Sequence, residues 1–346
     1  MRILRIAVVV SLAVAALGQP TSAQSLSFSL FERYVESLRV QTAIPGMSAA
    51  VVQDGRIVWE KGFGLEDVDR TVAATPRTPY AVADLSQTLA STLLLGQCVD
   101  RGTLEMSDRV RRWVSQYPDA DATVGQLLAH TTPAGFKYDA SRFADLTGVL
   151  DQCTSARYPV RLVATIFDSL GMTDTVPGQD LDDPSSPNRR FHPADRLAQY
   201  SSVLKRIAVP YRVDRKGKPV RSENSATTLT ASTGVVSTVR DLARFDAALS
   251  EGDLVDSGTL AAAWSRSGSR PTGLGWFVQS YGSEKVVWHF GLEKDSYSSL
   301  ILKVPGKDLT LILLANSDGL SARYNLHSGD VNASPFASTF LRIFVP

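Results

Sequence analysis

The chain has 346 residues, of which 44% are hydrophobic and 21% are charged, a balance typical of a globular protein with a large core. The formal net charge is +1, so the composition gives no indication of nucleic-acid binding. Beyond the first 23 residues, no continuous apolar stretch is long enough to cross a bilayer, so we predict no membrane span after that point.

The first 23 residues have the pattern of a secretory signal peptide. Arg2 and Arg5 precede an apolar stretch over residues 6–17, and Thr21-Ser22-Ala23 is a small-residue cleavage site. We therefore predict cleavage after Ala23 and a periplasmic or secreted protein. A membrane anchor is the alternative, but the apolar stretch is too short for one.

Periodic apolar residues predict the elements that follow. Helical spacing predicts helices at residues 30–40, 84–99, 123–130, 142–153, 159–170, 238–249 and 336–344. Runs of β-forming residues predict strands at residues 47–53, 56–62, 273–279, 286–289, 298–304 and 309–315. Asp54-Gly55 between the first two strands is typical of a tight hairpin turn. Thr123 and Gln126 have the spacing of a capping box, which marks the start of the third helix.

Residues 177–225 are rich in proline, serine and charged side chains and are predicted to form a surface excursion. Acidic residues are mixed among its basic ones, which favours a solvated surface over an anion-binding patch. The basic residues concerned are Arg189, Arg190, Lys205, Arg206, Arg212, Lys216 and Lys218.

The order of the elements predicts an α+β fold. Neither end of the chain has enough strands for a sheet of its own, so the early hairpin and the late strands are expected to share one antiparallel sheet. Terminal and central helices would flank this sheet, with a helical subdomain over about residues 84–230 inserted into a single domain over residues 24–346. A cleft is expected between the sheet and the subdomain, where pockets often form.

The chain contains two cysteines, Cys98 and Cys153. An oxidising compartment would permit a disulfide between them. Both lie in apolar helical stretches, where a free cysteine often packs as a small hydrophobic residue. The sequence leaves the two possibilities open.

Short segments occur along the chain in a recognisable order, at residues 43–52, 127–131 (Leu-Leu-Ala-His-Thr), 166–175, 232–243, 273–276 and 288–291. Together they resemble the serine β-lactamase and penicillin-binding-protein family, which includes D-alanyl-D-alanine peptidases and esterases. The resemblance covers most of the chain after about residue 25. It implies the antiparallel sheet with an inserted helical subdomain and a serine-hydrolase cleft between the two.

The resemblance also identifies four positions of that cleft. In the family, a Ser-x-x-Lys motif supplies the nucleophile and the base, and this chain has Asp84 and Gln87 there. The family's Tyr-x-Asn motif corresponds to Tyr138-Asp139-Ala140, which keeps only the tyrosine, and His289-Phe290-Gly291 corresponds to the strand motif that borders the cleft. Asp84 offers no hydroxyl nucleophile, and Gln87 does not titrate. We therefore expect these family-equivalent catalytic positions to be inactive.

Each of these residues also has a structural interpretation. Asp84 and Gln87 have the spacing of a capping box, and we favour an N-cap role for Asp84 over a catalytic one. Ser86 is a substitute nucleophile by type, but two positions along a helix it points to nearly the opposite side. Tyr138 is either a cleft residue or a packed aromatic, and His289 is either a donor to a bound carboxylate or a structural histidine.

The sequence favours an exported pseudo-hydrolase that binds a peptide, acyl or cell-wall-like ligand, or that acts as a scaffold. The first alternative is a weak serine-independent esterase or amidase that uses a rearranged set such as Asp84, Tyr138 and His289. The second is a purely structural partner protein. The histidines show no metal-ligand spacing, so we predict no metal or other cofactor. The expected partner is a small peptide or acyl ligand, and no nucleic acid.

Overall fold

A computed structural model describes residues 22–266 and 270–346. Residues 1–21 of the predicted signal peptide lie outside this range. The helices are α1 (Ser22–Gln41), α2 (Ser86–Leu94), α3 (Val124–Leu128), α4 (Ala140–Ala144), α5 (Leu146–Cys153), α6 (Tyr158–Leu162), α7 (Ala194–Leu204), α8 (Val239–Glu251), α9 (Ser257–Ala263) and α10 (Pro335–Phe344). Within the described part, none of the helices has the length and apolar character needed to cross a membrane.

The strands lie mostly in groups near the two ends of the described chain. They are β1 (Gly46–Gln53), β2 (Arg56–Asp67), β3 (Val72–Ala73), β4 (Tyr80–Ala81), β5 (Thr131–Thr132), β6 (Gly135–Phe136), β7 (Tyr211–Val213), β8 (Pro219–Arg221), β9 (Val236–Ser237), β10 (Phe277–Tyr281), β11 (Glu284–Glu293), β12 (Tyr297–Val304) and β13 (Leu309–Ala315).

The central sheet confirms the predicted α+β fold. Its strand order is β10-β11-β12-β13-β1-β2-β3, and every neighbouring pair is antiparallel. Strand β1 pairs with β13 from Met47 opposite Ala315 to Gln53 opposite Leu309. The early hairpin thus joins the late strands, and α2 to α9 lie between these two halves along the chain. The subdomain and domain boundaries given above stay a prediction.

The first hairpin forms at the predicted turn. Asp54 and Gly55 both have positive φ, of 51° and 69°, which is the geometry that matches the twist of a tight hairpin. Strand β2 continues to Asp67, beyond the predicted end at residue 62.

Hydrophobic residues cover both faces of the sheet because side chains alternate along each strand. Met47, Ala49 and Val51 of β1 belong to a core cluster that includes residues of α1 and α10. Ala50 and Val52 face the other way, into the cluster that contains α8 and the inserted helices. The predicted flanking by terminal and central helices is therefore observed.

Several predicted elements differ in detail. The stretch predicted as one helix over residues 84–99 is a 3₁₀ turn (Ala83–Leu85), then α2, then a turn of π-helix (Leu95–Val99). The helix predicted over residues 142–153 divides at Asp145 into α4 and α5. Residues 273–276 are not part of a strand, because β10 begins at Phe277. The capping box of Thr123 and Gln126 is present as predicted.

Cys98 and Cys153 form a disulfide, which resolves the alternative that the sequence left open. The bond ties the π-helical turn after α2 to the end of α5, with 5.8 Å between the two Cα atoms. It therefore joins the segment that carries positions 84 and 87 to α5.

Candidate functional site

The four positions identified from the sequence lie together near the start of α2. Gln87 donates a hydrogen bond from Nε2 to the hydroxyl of Tyr138 over 3.1 Å. The ring of Tyr138 lies 6.4 Å from that of His289 on β11, and its hydroxyl interacts with the carboxyl of Asp84. The structure thus brings all four into one cluster, while their catalytic role stays a prediction.

Gln87 is the centre of this cluster and is completely buried. Its Nε2 donates to Tyr138 and also to the Oγ of Ser232 over 3.0 Å, and its Oε1 lies 2.8 Å from Nε2 of His130. The backbone N–H of Asp139 donates to Nδ1 of His130 over 3.1 Å, so the neutral ring carries its proton on Nε2 and donates it to Gln87. Every polar atom of the Gln87 amide is therefore engaged.

Burial keeps His130 neutral. Burial and, to a smaller extent, the neighbouring His289 lower the pKa of His130 to about 3. At neutral pH this ring holds Gln87 in one orientation and does not take up a proton.

Asp84 receives hydrogen bonds from several directions. The Oγ of Ser232 lies 3.5 Å from its Oδ1, and the Tyr138 hydroxyl and the backbone N–H of Leu292 also bond to the carboxyl. Because Gln87 donates to both hydroxyl oxygens, their own protons are available for Asp84.

The Asp84 carboxyl is harder to ionise than a free one. Burial and, to a smaller extent, the negative charge of Glu293 raise the pKa of Asp84 to about 7, although the hydrogen bonds that the Asp84 carboxyl accepts oppose this rise. Burial and the nearby Asp84 likewise raise the pKa of Tyr138. Asp84 and Tyr138 both keep some exposed surface, so the cluster can be reached from solvent.

The favoured N-cap interpretation of Asp84 is wrong. Val82 occupies the cap position of the 3₁₀ turn and Leu85 that of α2, and no side chain caps either element. The side chains of Asp84 and Gln87 bond to residues distant in sequence instead of to each other's backbone. Ala83, with a φ of 51°, turns the chain just before Asp84. The hydrogen bonds of Asp84 and Gln87 to residues distant in sequence therefore form in place of the local capping box.

Ser86 lies on the opposite side of the helix, as its spacing predicts. Its Oγ donates to the backbone oxygen of Ala83 over 2.8 Å and accepts from the N–H of Val235 over 3.3 Å. The side chain is fully buried, so Ser86 does not replace the missing nucleophile.

His289, for which the sequence left two roles open, directs its ring proton to the backbone. Its Nδ1 lies 2.7 Å from the backbone oxygen of Phe290, so the ring proton is placed there. Desolvation lowers the pKa of His289 to about 4, and the neutral ring offers only Nε2, which is an acceptor. A bound carboxylate would therefore find no donor at this residue at neutral pH.

Sequence reasoning missed His130, Ser232 and Leu292 as members of the cluster. His130 and Ser232 belong to segments that carry the family resemblance, which was the available signal for them. His130 has a positive φ of 49°, unusual for a residue with a side chain and common near functional sites. Leu292 contributes through its backbone, which side-chain type does not reveal.

A family model described as Beta-lactamase matches residues 31–329 of this chain. The chain belongs to the Beta-lactamase family. The match confirms the resemblance that the ordered motifs indicated, and the matched residues include the cluster at Asp84.

Curated relatives match only a part of the chain. Protein flp of Staphylococcus aureus is 32% identical over 95 residues, which are 26% of this chain and 19% of that protein. Serine beta-lactamase-like protein LACTB, mitochondrial, of Homo sapiens is 28% identical over 109 residues, which are 30% of this chain and 20% of that protein. The matched segments span about a fifth of these relatives.

Solved structures share the fold over most of the chain. The octameric penicillin-binding protein homologue from Pyrococcus abyssi has a TM-score of 0.71 at 19% identity, covering 84% of this chain and 74% of that one. D-amino acid amidase from Ochrobactrum anthropi SV3 has a TM-score of 0.68 at 20% identity, covering 91% and 98%. D-alanine carboxypeptidase AmpC from Burkholderia cenocepacia has 0.68 at 20%, covering 91% and 99%. At these identities the likeness shows the fold alone.

Proposed function

We propose that this member of the Beta-lactamase family is an exported protein that binds a small peptide or acyl ligand at the Asp84 cluster without being acylated by it. The observation that carries the proposal is the state of Gln87. An amide that does not titrate stands where the resemblance expects the base, and all its hydrogen-bonding atoms are engaged by His130, Tyr138 and Ser232.

A hydroxyl nucleophile, as in the serine hydrolases that the chain resembles, requires a neighbouring group that accepts its proton. Neither Gln87 nor the neutral His130 accepts a proton at physiological pH. A carboxylate at Asp84 would form only a labile anhydride with an acyl group. The Leu292 N–H, which would otherwise be available to polarise a carbonyl, is bonded to Asp84.

Ligand binding is supported by the order of the cluster. Buried residues hold Asp84 and Tyr138 in place while both keep some exposed surface. Ala83 and His130, on either side of the cluster, both have left-handed backbone conformations. Such conformations persist where the surroundings over-determine them, which is common at binding sites.

Export is supported by two features that are independent of the cluster. The N-terminal residues have the charge, apolar stretch and small residues of a signal peptide. Cys98 and Cys153 form a disulfide, and disulfides persist mainly in oxidising compartments.

Intact-protein mass spectrometry tests the absence of acylation. The wild-type protein, incubated with a fluorophosphonate or with a penicillin, is expected to keep its mass. A stoichiometric adduct mapped to a single residue of the cluster, such as Ser232, would overturn this part of the proposal and favour an esterase or amidase.

The matched control is the double variant Asp84→Ser/Gln87→Lys. It places a hydroxyl and an amine one helical turn apart on one face, so we expect weak fluorophosphonate labelling and slow ester hydrolysis. Activity should stay weak because Ala140 stands where the family has an asparagine, and a positioning defect can cost about a hundredfold. A folded double variant that is neither labelled nor active would indicate that more than these two side chains has changed.

A further inference from the structure

The hairpin of β7 and β8 concentrates positive charge in a chain that is almost neutral as a whole. The chain has 36 basic and 35 acidic residues, whereas residues 211–221 contain five basic side chains and one acidic one. All five basic residues are exposed, and they are Arg212, Arg215, Lys216, Lys218 and Arg221. The small charge of the whole chain therefore includes a local net charge of +4 on this hairpin.

The fold leaves most of this charge without a counterion. Arg221 pairs with Asp69 over 3.6 Å, but the other four basic side chains form no ion pair and no side-chain hydrogen bond within residues 22–266 and 270–346. The carboxyl of Asp214 holds the turn instead, because its Oδ1 accepts from the backbone N–H groups of Lys216 and Lys218 over 2.8 and 2.9 Å. The acidic residues that are mixed with basic ones in the sequence thus do not neutralise the hairpin.

Buried contacts hold the hairpin in a fixed position on the molecule. Tyr211 is 1% exposed, its N–H donates to the backbone oxygen of Asn316 over 2.8 Å, and its hydroxyl accepts from the N–H of Val68 over 2.8 Å. Just after β8, the Oγ of Ser222 donates to the backbone oxygen of Asp295 over 2.5 Å. A partner would therefore meet basic residues whose backbone is already ordered, which lowers the entropic cost of binding.

Exposed apolar side chains accompany the positive charge. Val220 is 38% exposed and lies directly opposite Arg212 in the register of β7 and β8. Val72 of β3 is 40% exposed and lines the same cavity as Arg70 and Arg221. The surface thus offers apolar contact next to its charge.

We propose that this surface docks the protein on an anionic phospholipid bilayer. The docking surface consists of the five basic residues of the hairpin together with Val72 and Val220. A bilayer supplies both complements, because its anionic headgroups attract basic residues and its interface accepts apolar side chains. A dissolved polyanion offers only the charge. Asp69, which is paired with Arg221, and the exposed Glu223 reduce the net charge of this surface but leave it positive.

Sedimentation with lipid vesicles tests the proposal. The protein is the chain from residue 24, as left by the predicted cleavage, so that the apolar residues 6–17 cannot insert into the lipid. Each basic residue close to an anionic surface strengthens binding by about fivefold. We therefore expect binding to vesicles of equal parts phosphatidylglycerol and phosphatidylcholine to be at least about a hundredfold tighter than to phosphatidylcholine alone. High salt should weaken it, because exposed charges are screened.

Two matched variants assign the binding to the hairpin. Lys216→Gln/Lys218→Gln should weaken binding to the anionic vesicles by about twentyfold. Arg56→Gln/Lys285→Gln removes the same charge from exposed residues at the opposite end of the central sheet and should bind like the wild-type protein. Thermal melts show that each variant is folded.

Val220→Ser tests the apolar part of the docking surface and distinguishes a bilayer from a dissolved polyanion. It should weaken binding to the anionic vesicles by about threefold, since part of one valine side chain is no longer buried in the interface. Its binding to soluble polyglutamate should equal that of the wild-type protein.

Three outcomes would overturn the proposal, and none of them bears on ligand binding at the Asp84 cluster. Equal binding to both kinds of vesicle, or binding to neither, would exclude docking on anionic lipid. Equal weakening in the two double variants would show that the total charge of the protein, and not the hairpin, attracts it to the surface. Tighter binding to polyglutamate than to anionic vesicles, with no effect of Val220→Ser on either, would identify an acidic macromolecule as the partner.

Discussion

Replacing Asp84 by asparagine is expected to stabilise the protein, and more so at high pH. In the folded protein, burial holds the pKa of Asp84 at about 7, above the unfolded value of about 4. The folded state therefore binds the proton more tightly, so the free energy of unfolding falls as pH rises from about 4 to about 7 and changes no further above that. Asparagine carries no charge at any pH, so the free energy of unfolding of the variant does not fall in this way as the pH rises.

The magnitude follows from the interval between the two pKa values. At about 1.4 kcal/mol per pH unit, the full interval corresponds to about 4 kcal/mol. Asp84 is partly exposed, so solvent screens part of this cost. Asparagine also accepts fewer hydrogen bonds from Ser232 and Tyr138 than a carboxylate does. We therefore expect Asp84→Asn to stabilise the protein by about 1–2 kcal/mol at pH 8, and by less at pH 5.

Urea titrations of the wild-type protein and the variant at pH 5 and pH 8 measure both free energies. Asp253→Asn serves as the control for removing one exposed negative charge. A variant that is less stable than wild type by the same amount at both values of pH would refute the reasoning. That result would indicate that Asp84 acts chiefly as an acceptor of the hydrogen bonds from Ser232, Tyr138 and Leu292.

Three further perturbations test other parts of the structure. Replacing Cys98 and Cys153 by alanine removes a link between residues 55 apart and should lower the free energy of unfolding by about 2–4 kcal/mol. Urea transitions of the variant and the wild-type protein that coincide would contradict this. Gln87→Leu leaves buried donors and acceptors without partners and should cost about 2–3 kcal/mol, whereas a neutral effect in thermal melts would show that the network adds no stability. Lys303→Met leaves the buried Asp246 without its ion pair and should lower the free energy of unfolding by about 3–5 kcal/mol. The double variant Lys303→Met/Asp246→Leu should recover most of that loss. Equal melting temperatures of the single variant and the wild-type protein would show that the ion pair does not stabilise the fold.

The sequence determined the elements whose causes are local. Asp54-Gly55 is a hairpin turn because its two residues adopt positive φ at low cost. Runs of β-forming residues predicted β1 and the late strands, and the count of strands at each end predicted that they share one sheet. The ordered motifs predicted the family and the four positions that meet near α2.

The tertiary structure decided what those positions do, because the partners of a buried polar group come from segments far apart in sequence. Gln87 bonds to His130, 43 residues away, and to Ser232, 145 residues away. The local signal at Asp84 and Gln87 was a capping box, and it failed because buried polar groups require partners that only the folded chain supplies. The same packing paired the two cysteines, exposed the Asp84 carboxyl to the charge of Glu293 and directed the His289 proton to a backbone oxygen.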